Sequence, residues 1–236
     1  MAFIHSPKIV TDGLVLYLDA ANRRSYGGSG ATWSDLSGNN FNCTLVNTPS
    51  FSAANNGTIV FDGTNNYAEI ADSATLRGSK TTVLLWFKRN GVGTNQGGSI
   101  SSILFGKADV IGSFNGYVFG LTGGTTVFVT AKGSSNSASA VGNLVADNTW
   151  HHAVLTVDIG ASSADVKIYQ NGVFTASATV PSTITISSQP IRLIDSLDTF
   201  WGIIAASMAN VSMYNRILSP NEILQNFNAT RGRFGV

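Results

Sequence analysis

The sequence predicts an all-β protein, a two-sheet antiparallel jelly-roll sandwich with one short C-terminal helix. Short apolar or alternating segments recur along the chain and are separated by Gly- and Asn-rich turns, which is the pattern of many short strands. Only one segment, near the C-terminus, carries the signals of a helix. The chain has 236 residues, and sandwiches of roughly 200–250 residues often form one domain. We therefore predict a single domain over residues 1–236.

The predicted strands follow one another from the N-terminus. The segment Thr81–Lys88 (TTVLLWFK) is apolar at both alternating sets of positions. Such a segment is typical of a central strand that is covered on both faces. The other strand candidates are Leu14–Leu18, Thr58–Phe61, Tyr67–Ile70, Ser102–Phe105, Gly116–Leu121, Thr125–Ala131, His152–Val157 and Ile191–Ile194.

The clearest turn signal is Asn171-Gly172, which separates the alternating segments Val166–Gln170 and Val173–Ser177. A two-residue type I′ turn needs positive φ at both central positions, and Asn and Gly tolerate this best. The pair therefore predicts a tight hairpin.

The helix signal is Ser219-Pro220-Asn221-Glu222, which supplies an N-cap, a proline in the first turn and the glutamate of a capping box. Ile223, Leu224 and Phe227 then fall on one helical face. We predict that the helix ends near residues 230–232.

Charge and cysteine content exclude several classes of protein. The 14 basic and 13 acidic residues leave a net charge of +1 without a basic cluster, so we predict no nucleic-acid partner. The single cysteine, Cys43, allows no intrachain disulfide and is predicted to be a small buried hydrophobe. We find no signal-peptide pattern and no apolar segment long enough to span a bilayer. The sequence predicts no membrane insertion. It predicts that the protein either stays in the producing cell or leaves by lysis or another non-classical route.

Six segments, taken in order, resemble the concanavalin A-like, laminin-G-like jelly-roll superfamily. They are Gly13–Asn22, Trp33–Asn39, Phe61–Tyr67, Trp150–His152, Val166–Gly172 and Tyr214–Ile223. Together with the ending Asn226–Gly235, they are most similar to single-domain structural proteins of tailed bacteriophages, especially phages of marine bacteria.

This resemblance implies a non-catalytic virion surface protein, either a head decoration or a fibre component, with weak adhesion to host or environmental glycans. Its implied partners are other virion proteins and further copies of itself, and it would be assembled in the host cytoplasm. The alternative is a dedicated host-recognition lectin for cell-surface polysaccharide. The apolar segment Phe200–Ile204 suits a protein interface, although a buried strand explains it equally well.

An enzyme is not predicted. Glycanases with this fold carry their carboxylates on one strand as Glu-x-Asp-x-x-Glu, and this chain has only Glu69 and Glu222 as glutamates. Glu222 is explained by the capping box, and Glu69 is predicted to face solvent. His151 and His152 are adjacent on a predicted strand, so they point to opposite faces and cannot readily chelate one ion.

The resemblance also suggests a structural Ca²⁺, because relatives often hold one with loop carboxylates and carbonyls. The candidate ligands are Asp35 and Asp62, with Asn39 as a carbonyl donor. The alternative is that both aspartates form Asx turns.

The carbohydrate candidates are Tyr26, Asn65 and Asn66, because sugar recognition needs an aromatic plate and planar polar groups. The alternative to a binding role is a structural role, since large aromatic side chains dominate protein cores. That alternative is expected to hold for Trp33, Trp86 and Trp150.

Overall fold

A computed structural model describes residues 7–91, 101–109, 115–123, 126–132, 137–195, 197 and 201–236. Within these ranges the chain forms sixteen strands, one α-helix and three short 3₁₀ helices. The strands are β1 (Leu14–Asp19), β2 (Thr32–Trp33), β3 (Cys43–Val46), β4 (Ser50–Ser52), β5 (Thr58–Asp62), β6 (Tyr67–Ile70), β7 (Lys80–Gly91), β8 (Ser102–Ala108), β9 (Gly116–Thr122), β10 (Thr126–Lys132), β11 (Ser137–Leu144), β12 (Trp150–Ile159), β13 (Ala164–Gln170), β14 (Val173–Val180), β15 (Ile191–Leu193) and β16 (Ala205–Tyr214). The helices are α1 (Pro220–Thr230) and the 3₁₀ turns Ala54–Asn56, Ala74–Arg77 and Arg231–Arg233.

These strands form two eight-stranded sheets, which confirms the predicted sandwich. The first sheet has the order β14-β13-β12-β7-β16-β5-β4, with β1 also paired to β16. The second has the order β11-β10-β9-β8-β15-β6-β3-β2. Neighbouring strands are antiparallel in both sheets, and the neighbours in space are often distant in sequence. The strands β2, β3, β4 and β11 were not predicted. The first three are only two to four residues long, and β11 is polar and mostly exposed.

The core lies between the sheets and is built by alternate residues of each strand. β7 is an example of this alternation: Val83, Leu85 and Phe87 point into the core. Its alternate residues Leu84 and Trp86 point outward and are also buried, under the C-terminal part of the chain. The prediction of a central strand covered on both faces is confirmed.

The outer cover of β7 comes from α1 and the residues after it. Ile223 packs in the Leu84 cluster, while Phe227 and Phe234 stack on Trp86 with ring centroids 5.8 and 4.1 Å away. Ser219 caps the helix, with its side chain accepting from the Glu222 N–H while the Glu222 carboxylate accepts from the Ser219 N–H. The predicted capping box is therefore present.

The predicted hairpin joins β13 to β14. Asn171 and Gly172 have φ of 51° and 82°, as a type I′ turn requires. A Cβ on Gly172 would lie 3.0 Å from Leu224 Cδ1, so the close approach of α1 also favours glycine here.

The tryptophans Trp33, Trp86 and Trp150 and the thiol of Cys43 are buried, as the sequence predicts. In the described residues, no helix has both the length and the apolar character needed to cross a bilayer.

Candidate functional site

Asp35, a candidate calcium ligand, caps the edge of β1. Its Oδ1 accepts hydrogen bonds from the N–H groups of Tyr17 (2.9 Å) and Ser37 (2.8 Å). Its Oδ2 accepts from the Ser37 hydroxyl (2.7 Å) and the Phe41 N–H (3.1 Å). Both oxygens thus face protein donors, and the carboxylate ties its own turn to the strand. This is the Asx-turn alternative of the sequence analysis.

Of the other two calcium candidates, Asn39 lies beside Asp35, and Asp62 does not. The Asn39 amide nitrogen donates to the Val15 carbonyl oxygen (3.0 Å) on the same strand edge. Asp62 lies elsewhere, because it pairs with Ala205 whereas Tyr17 pairs with Ser212, seven residues further along β16. Seven residues of strand span about 23 Å, far beyond the reach of one ion whose ligands lie at about 2.3–2.6 Å. Among the described residues, no cluster of three or more His, Cys, Asp or Glu could hold a metal.

The carbohydrate candidates Asn65 and Asn66 lie in the hairpin between β5 and β6. Asn66 is buried, and its side-chain oxygen accepts from the Asp62 N–H (3.0 Å). Asn66, predicted as a carbohydrate contact, is therefore a turn residue whose side-chain oxygen already has a protein partner. Asn65 is exposed, and its carbonyl oxygen accepts from the Asn47 amide (2.8 Å). This bond joins the hairpin to the turn that follows β3.

Tyr26, the third carbohydrate candidate, is only 4% exposed. Its hydroxyl donates to the Gly30 carbonyl oxygen (2.9 Å), and its ring packs against Phe51 at 5.6 Å. The ring is therefore packed against its neighbours and is not a free plate in solvent. It forms one wall of a pocket of about 300 Å³, which opens beside the turn containing Thr48.

A second group of polar residues lies on the outer face of the second sheet, the face turned away from the core. We name it the Arg192 cluster; its members are Tyr67, Glu69, Arg192 and Asp195. The intervening residues of the two strands, namely Ala68, Ile70, Ile191 and Leu193, are buried in the core, which turns the cluster outward. β6 and β15 are neighbours, with Glu69 directly opposite Arg192.

Arg192 is the centre of this cluster. Its guanidinium lies over the Tyr67 ring, 4.2 Å from the centroid. It donates to Glu69 Oε2 (3.1 Å) and to Asp195 Oδ2 (2.8 Å). The side chains of Arg192, Glu69 and Asp195 keep 19%, 34% and 12% of their surface exposed. Ion pairing and stacking fix the planar guanidinium while part of the group stays open to a ligand.

The residue before Asp195 has a strained backbone conformation, which fixes where Asp195 lies. Ile194 has φ of 71° and is fully buried. Positive φ is a genuine outlier for a β-branched residue, and such strain persists only where its surroundings enforce it. The Ile194 N–H donates to the Leu104 carbonyl oxygen (3.2 Å), which holds the chain in this turn. Strain of this kind clusters at binding and active sites, so the turn marks the Arg192 cluster as a candidate site.

A second strained turn borders the same region. Asn47 and Thr48 follow β3 and have φ of 56° and 54°. The residue before them, Val46, pairs directly with Tyr67. Thr48 also lines the Tyr26 pocket. Leu45, which lines the same pocket, is buried in the core between the sheets, so the pocket lies on the core side of β3 and the Arg192 cluster lies on the outer face of the second sheet.

The carboxylates of this cluster are not arranged as a glycosidase pair. Glu69 and Asp195 both bind the guanidinium of Arg192. That group occupies the space between them, where a glycosidase must place the scissile oxygen and a water or nucleophile. The arrangement can accept hydrogen bonds from a ligand and donate hydrogen bonds to it.

Arg192 and Asp195 were not among the predicted site residues, and Glu69 was predicted only to face solvent. Alternation in Tyr67–Ile70 indicates that Tyr67 and Glu69 share a face. No sequence signal indicates that β15, over 120 residues later, pairs with that strand.

His152 is a further buried polar group, on the outer face of the first sheet. It packs on Trp86 and Phe227, and its Nδ1 has no hydrogen-bond partner among the described residues. Burial lowers the pKa of His152 to about 3. Its neighbour His151 is partly exposed, as expected for residues on opposite faces.

Of the apolar segment predicted as a possible interface, Phe200 lies outside the described residues. Ile203 and Ile204 are buried in the core. The ring of Trp201 packs on Phe128 at 5.6 Å. Burial, the alternative left open by the sequence, therefore describes the residues that the structure shows.

The sequence matches one family model, Laminin_G_3, described as the concanavalin A-like lectin/glucanases superfamily, over residues 62–224. No significant match was found among curated protein sequences.

Several solved structures share the fold. Domain 4 of AbnA, a GH43 extracellular arabinanase from Geobacillus stearothermophilus, in complex with arabinotriose, matches with a TM-score of 0.65 and 19% identity. The match covers 90% of this chain and 97% of that one. The binding domain of Paraclostridial Mosquitocidal Protein 1 gives a TM-score of 0.71 and 17% identity over 93% of this chain. The binding domain of Botulinum Neurotoxin DC in complex with SialylT gives 0.69 and 13% over 94%.

The coverage of these structures differs. The chain spans 52% of the mosquitocidal and botulinum binding domains, about half their length. A receptor contact of the whole domain therefore need not lie in the matched half. The arabinanase domain is matched over nearly all of its length.

Proposed function

Because the chain belongs to the concanavalin A-like lectin/glucanase superfamily, we propose that it is a non-catalytic carbohydrate-binding protein. We place its binding site at the Arg192 cluster. The observation that carries this proposal is the guanidinium of Arg192, stacked 4.2 Å from the Tyr67 ring centroid and bonded to two carboxylates.

The chemistry of the Arg192 cluster suits a hydroxylated ligand. Sugar hydroxyls both donate and accept, so they can bond to carboxylate oxygens and to guanidinium N–H groups. The residue opposite Arg192 on β8 is Gly106, so no side chain stands beside the guanidinium on that strand. The polar groups are held in place before binding, which lowers the entropic cost of association. The arabinotriose complex of a domain matched over nearly its whole length supports carbohydrate as the class of ligand.

Charge indicates which carbohydrates the site accepts. Glu69 and Asp195 contribute two negative charges against the single positive charge of Arg192. A neutral saccharide meets no repulsion there, whereas a uronate or sialic acid meets a net negative site. We therefore propose neutral polysaccharide as the ligand.

The test is a glycan-array screen of the purified protein with calcium and then with a chelator. Tyr67→Ala is expected to abolish binding, because it removes the ring under Arg192. The matched control is Phe174→Ala, which removes an aromatic side chain that is 51% exposed on the other sheet. Binding that survives Tyr67→Ala, or that is lost equally in both variants, would contradict this placement of the site.

The proposed setting of this binding is the surface of a bacteriophage virion, as a decoration or fibre component in contact with other virion proteins. Its support is the order of the sequence segments that resemble phage structural proteins. Mass spectrometry and antibody labelling of purified particles would test it. If the protein were absent from the particles, the virion proposal would fail and the carbohydrate-binding proposal would stand by itself.

A dedicated host-recognition lectin is the alternative within the same setting. In that case the purified protein should compete with phage adsorption to host cells, whereas a decoration protein should not.

A further inference from the structure

The exposed apolar side chains of this protein are concentrated at one edge of the sandwich. Among the described residues, six large apolar side chains are exposed, and five of them lie on or beside the strands β11 and β14. We name these five the edge patch; they are Val141, Leu144, Val173, Phe174 and Leu224, with 42–73% of their surface exposed. The sixth is Val236. Single exposed apolar residues are common on proteins, but a cluster of them marks an interaction surface.

Contacts between the two sheets make the edge patch continuous. The Asn143 N–H donates to Gln170 Oε1 (2.6 Å), and the Gln170 amide donates back to the Asn143 carbonyl oxygen (3.2 Å). Gln170 is directly paired with Val173, and Leu144 follows Asn143, so the apolar residues of β11 and β14 come together here. Leu224 of α1 lies against the turn that precedes Val173. The patch therefore runs from one sheet to the other along a single edge.

Both strands of this edge are open to a further strand. Among the described strands, β14 is paired only with β13, and β11 only with β10. Proteins commonly protect such edges with charged residues or proline. The eight residues of each strand include neither. From Ala176 to Val180, β14 keeps a regular pairing and carries mainly small side chains, so its outer backbone groups are accessible to another strand.

The uncharged character of this edge favours a second copy of the chain as its partner. Around a two-fold axis the same surface of each copy faces the other, so a charged edge would repel itself. The edge patch and both strands carry no charge, and a net charge of +1 is too small to oppose association. A second copy also supplies what the edge lacks, namely an unpaired strand and an equal apolar surface.

The size of the edge is suited to a dimer. Side chains of this size and exposure present roughly 500 Å² of apolar surface, which is large for a patch on a monomer. The eight-residue strands are about 27 Å long, and the two sheets are about 10 Å apart. Together these surfaces reach the order of 800 Å² per partner that stable interfaces bury.

We propose that the protein forms a two-fold dimer in which β14 pairs antiparallel with β14 of a second copy and the two edge patches pack together. A two-fold axis between neighbouring antiparallel strands is perpendicular to the sheet, so corresponding faces of the two copies point the same way. Since β15 lies four strands from β11, the two Arg192 clusters lie on one face, about 40 Å apart. The interface does not depend on the proposed function, but bivalent carbohydrate binding by the dimer rests on it.

The test is the molar mass of the full chain, measured by size-exclusion chromatography with light scattering over micromolar concentrations. The wild type should have twice the mass of one chain. Val173→Asp places like charges in the interface and should give the mass of one chain. The matched control is Val236→Asp, the same change at the exposed valine outside the edge patch, which should remain dimeric. A wild type with the mass of one chain at every concentration, or equal dissociation of both variants, would overturn the proposal.

Amide hydrogen exchange shows whether β14 is the strand in contact. The amides of residues 173–180 should exchange more slowly in the wild type than in Val173→Asp. The amides of β4, the strand at the opposite end of the first sheet, should exchange equally in both proteins. Equal exchange in β14 as well would contradict the strand pairing.

Saccharide binding separates this proposal from the proposed function. A soluble saccharide should bind the wild type and Val173→Asp with equal dissociation constants, because the Arg192 cluster lies outside the interface. The same saccharide immobilised at high density should bind the dimer about a hundredfold more tightly; equal binding would contradict the placement of both sites on one face. Phe174 packs on Tyr169 at the rim of the edge patch, so Phe174→Ala leaves the strand edge intact and should remain dimeric. If no saccharide binds, the carbohydrate proposal fails, and the molar mass still decides the dimer.

Discussion

Asn in place of Asp35 tests whether this aspartate is a structural cap or a calcium ligand. The carboxylate accepts four hydrogen bonds, two on each oxygen, from Tyr17, Ser37 and Phe41. An asparagine offers one acceptor oxygen and an NH₂ group. The Ser37 hydroxyl can rotate and accept from that NH₂, but the Phe41 N–H cannot, so one donor loses its partner.

The expected cost of Asp35→Asn follows from these bonds. Leaving one partly buried donor unsatisfied costs about 1–3 kcal/mol. The bonds that remain lose their charge assistance, which adds about 1 kcal/mol. We expect the free energy of unfolding to fall by about 2–4 kcal/mol. At roughly 2–4 °C per kcal/mol for a chain of this size, Tm should fall by about 4–16 °C.

The assay is thermal and urea unfolding, each with calcium and with a chelator. The matched control is Asp62→Asn, because Asp62 is exposed and accepts one hydrogen bond, from the Thr64 N–H (2.8 Å), which asparagine can keep. We expect the control to change stability by about 0.5 kcal/mol or less. If calcium instead raises the Tm of the wild type and Asp35→Asn removes that gain, Asp35 is a metal ligand and the cap argument is refuted. Equal losses in the two variants would refute it as well.

Three further predictions concern buried or paired charges. Burial lowers the pKa of His152 from 6.5 to about 3, so only the unfolded chain takes up this proton as pH falls from about 6.5, and stability is lost over that range. His152→Phe keeps the packing on Trp86 and should flatten the pH dependence of the urea midpoints between pH 7 and 4. An unchanged slope would contradict this. The hydrogen bond from Arg216 lowers the pKa of Glu222 to about 2, so the stabilising effect of the ionised Glu222 carboxylate is complete above about pH 4.5 and is lost towards pH 2. Glu222→Gln should reduce the acid-induced loss of stability in this pH range, measured by circular dichroism during acid titration. Glu69→Gln makes the Arg192 cluster neutral and should allow acidic glycans to bind on the array, whereas an unchanged profile would exclude charge as the selecting factor.

The local elements were predictable because their signals are local. The Asn171-Gly172 turn and the capping box of Ser219 and Glu222 each depend on a few consecutive residues, whose conformational preferences act without the rest of the fold. The apolar pattern of Thr81–Lys88 predicted a strand covered on both faces. It could not show that α1 supplies the second cover, because that contact joins residues over 130 positions apart.

The residues of the Arg192 cluster were not among the predicted site residues. Of the predicted carbohydrate contacts, Asn65 is exposed, whereas Tyr26 and Asn66 are buried, because the first packs in the core and the second satisfies a backbone donor. Arg192 was missed, because its importance arises from strand pairing and not from its neighbours in sequence.

The sequence by itself determined the longer apolar strands, the tight hairpin turn and where the helix begins, since backbone preference and apolar periodicity act over a few residues. Only the tertiary structure decided that β6 and β15 are neighbours. That pairing places the Arg192 guanidinium over the Tyr67 ring and between two carboxylates. The physical reason is that register between distant strands is set by burial of the whole core, so the side chains brought together on its outer face leave no signal in either segment.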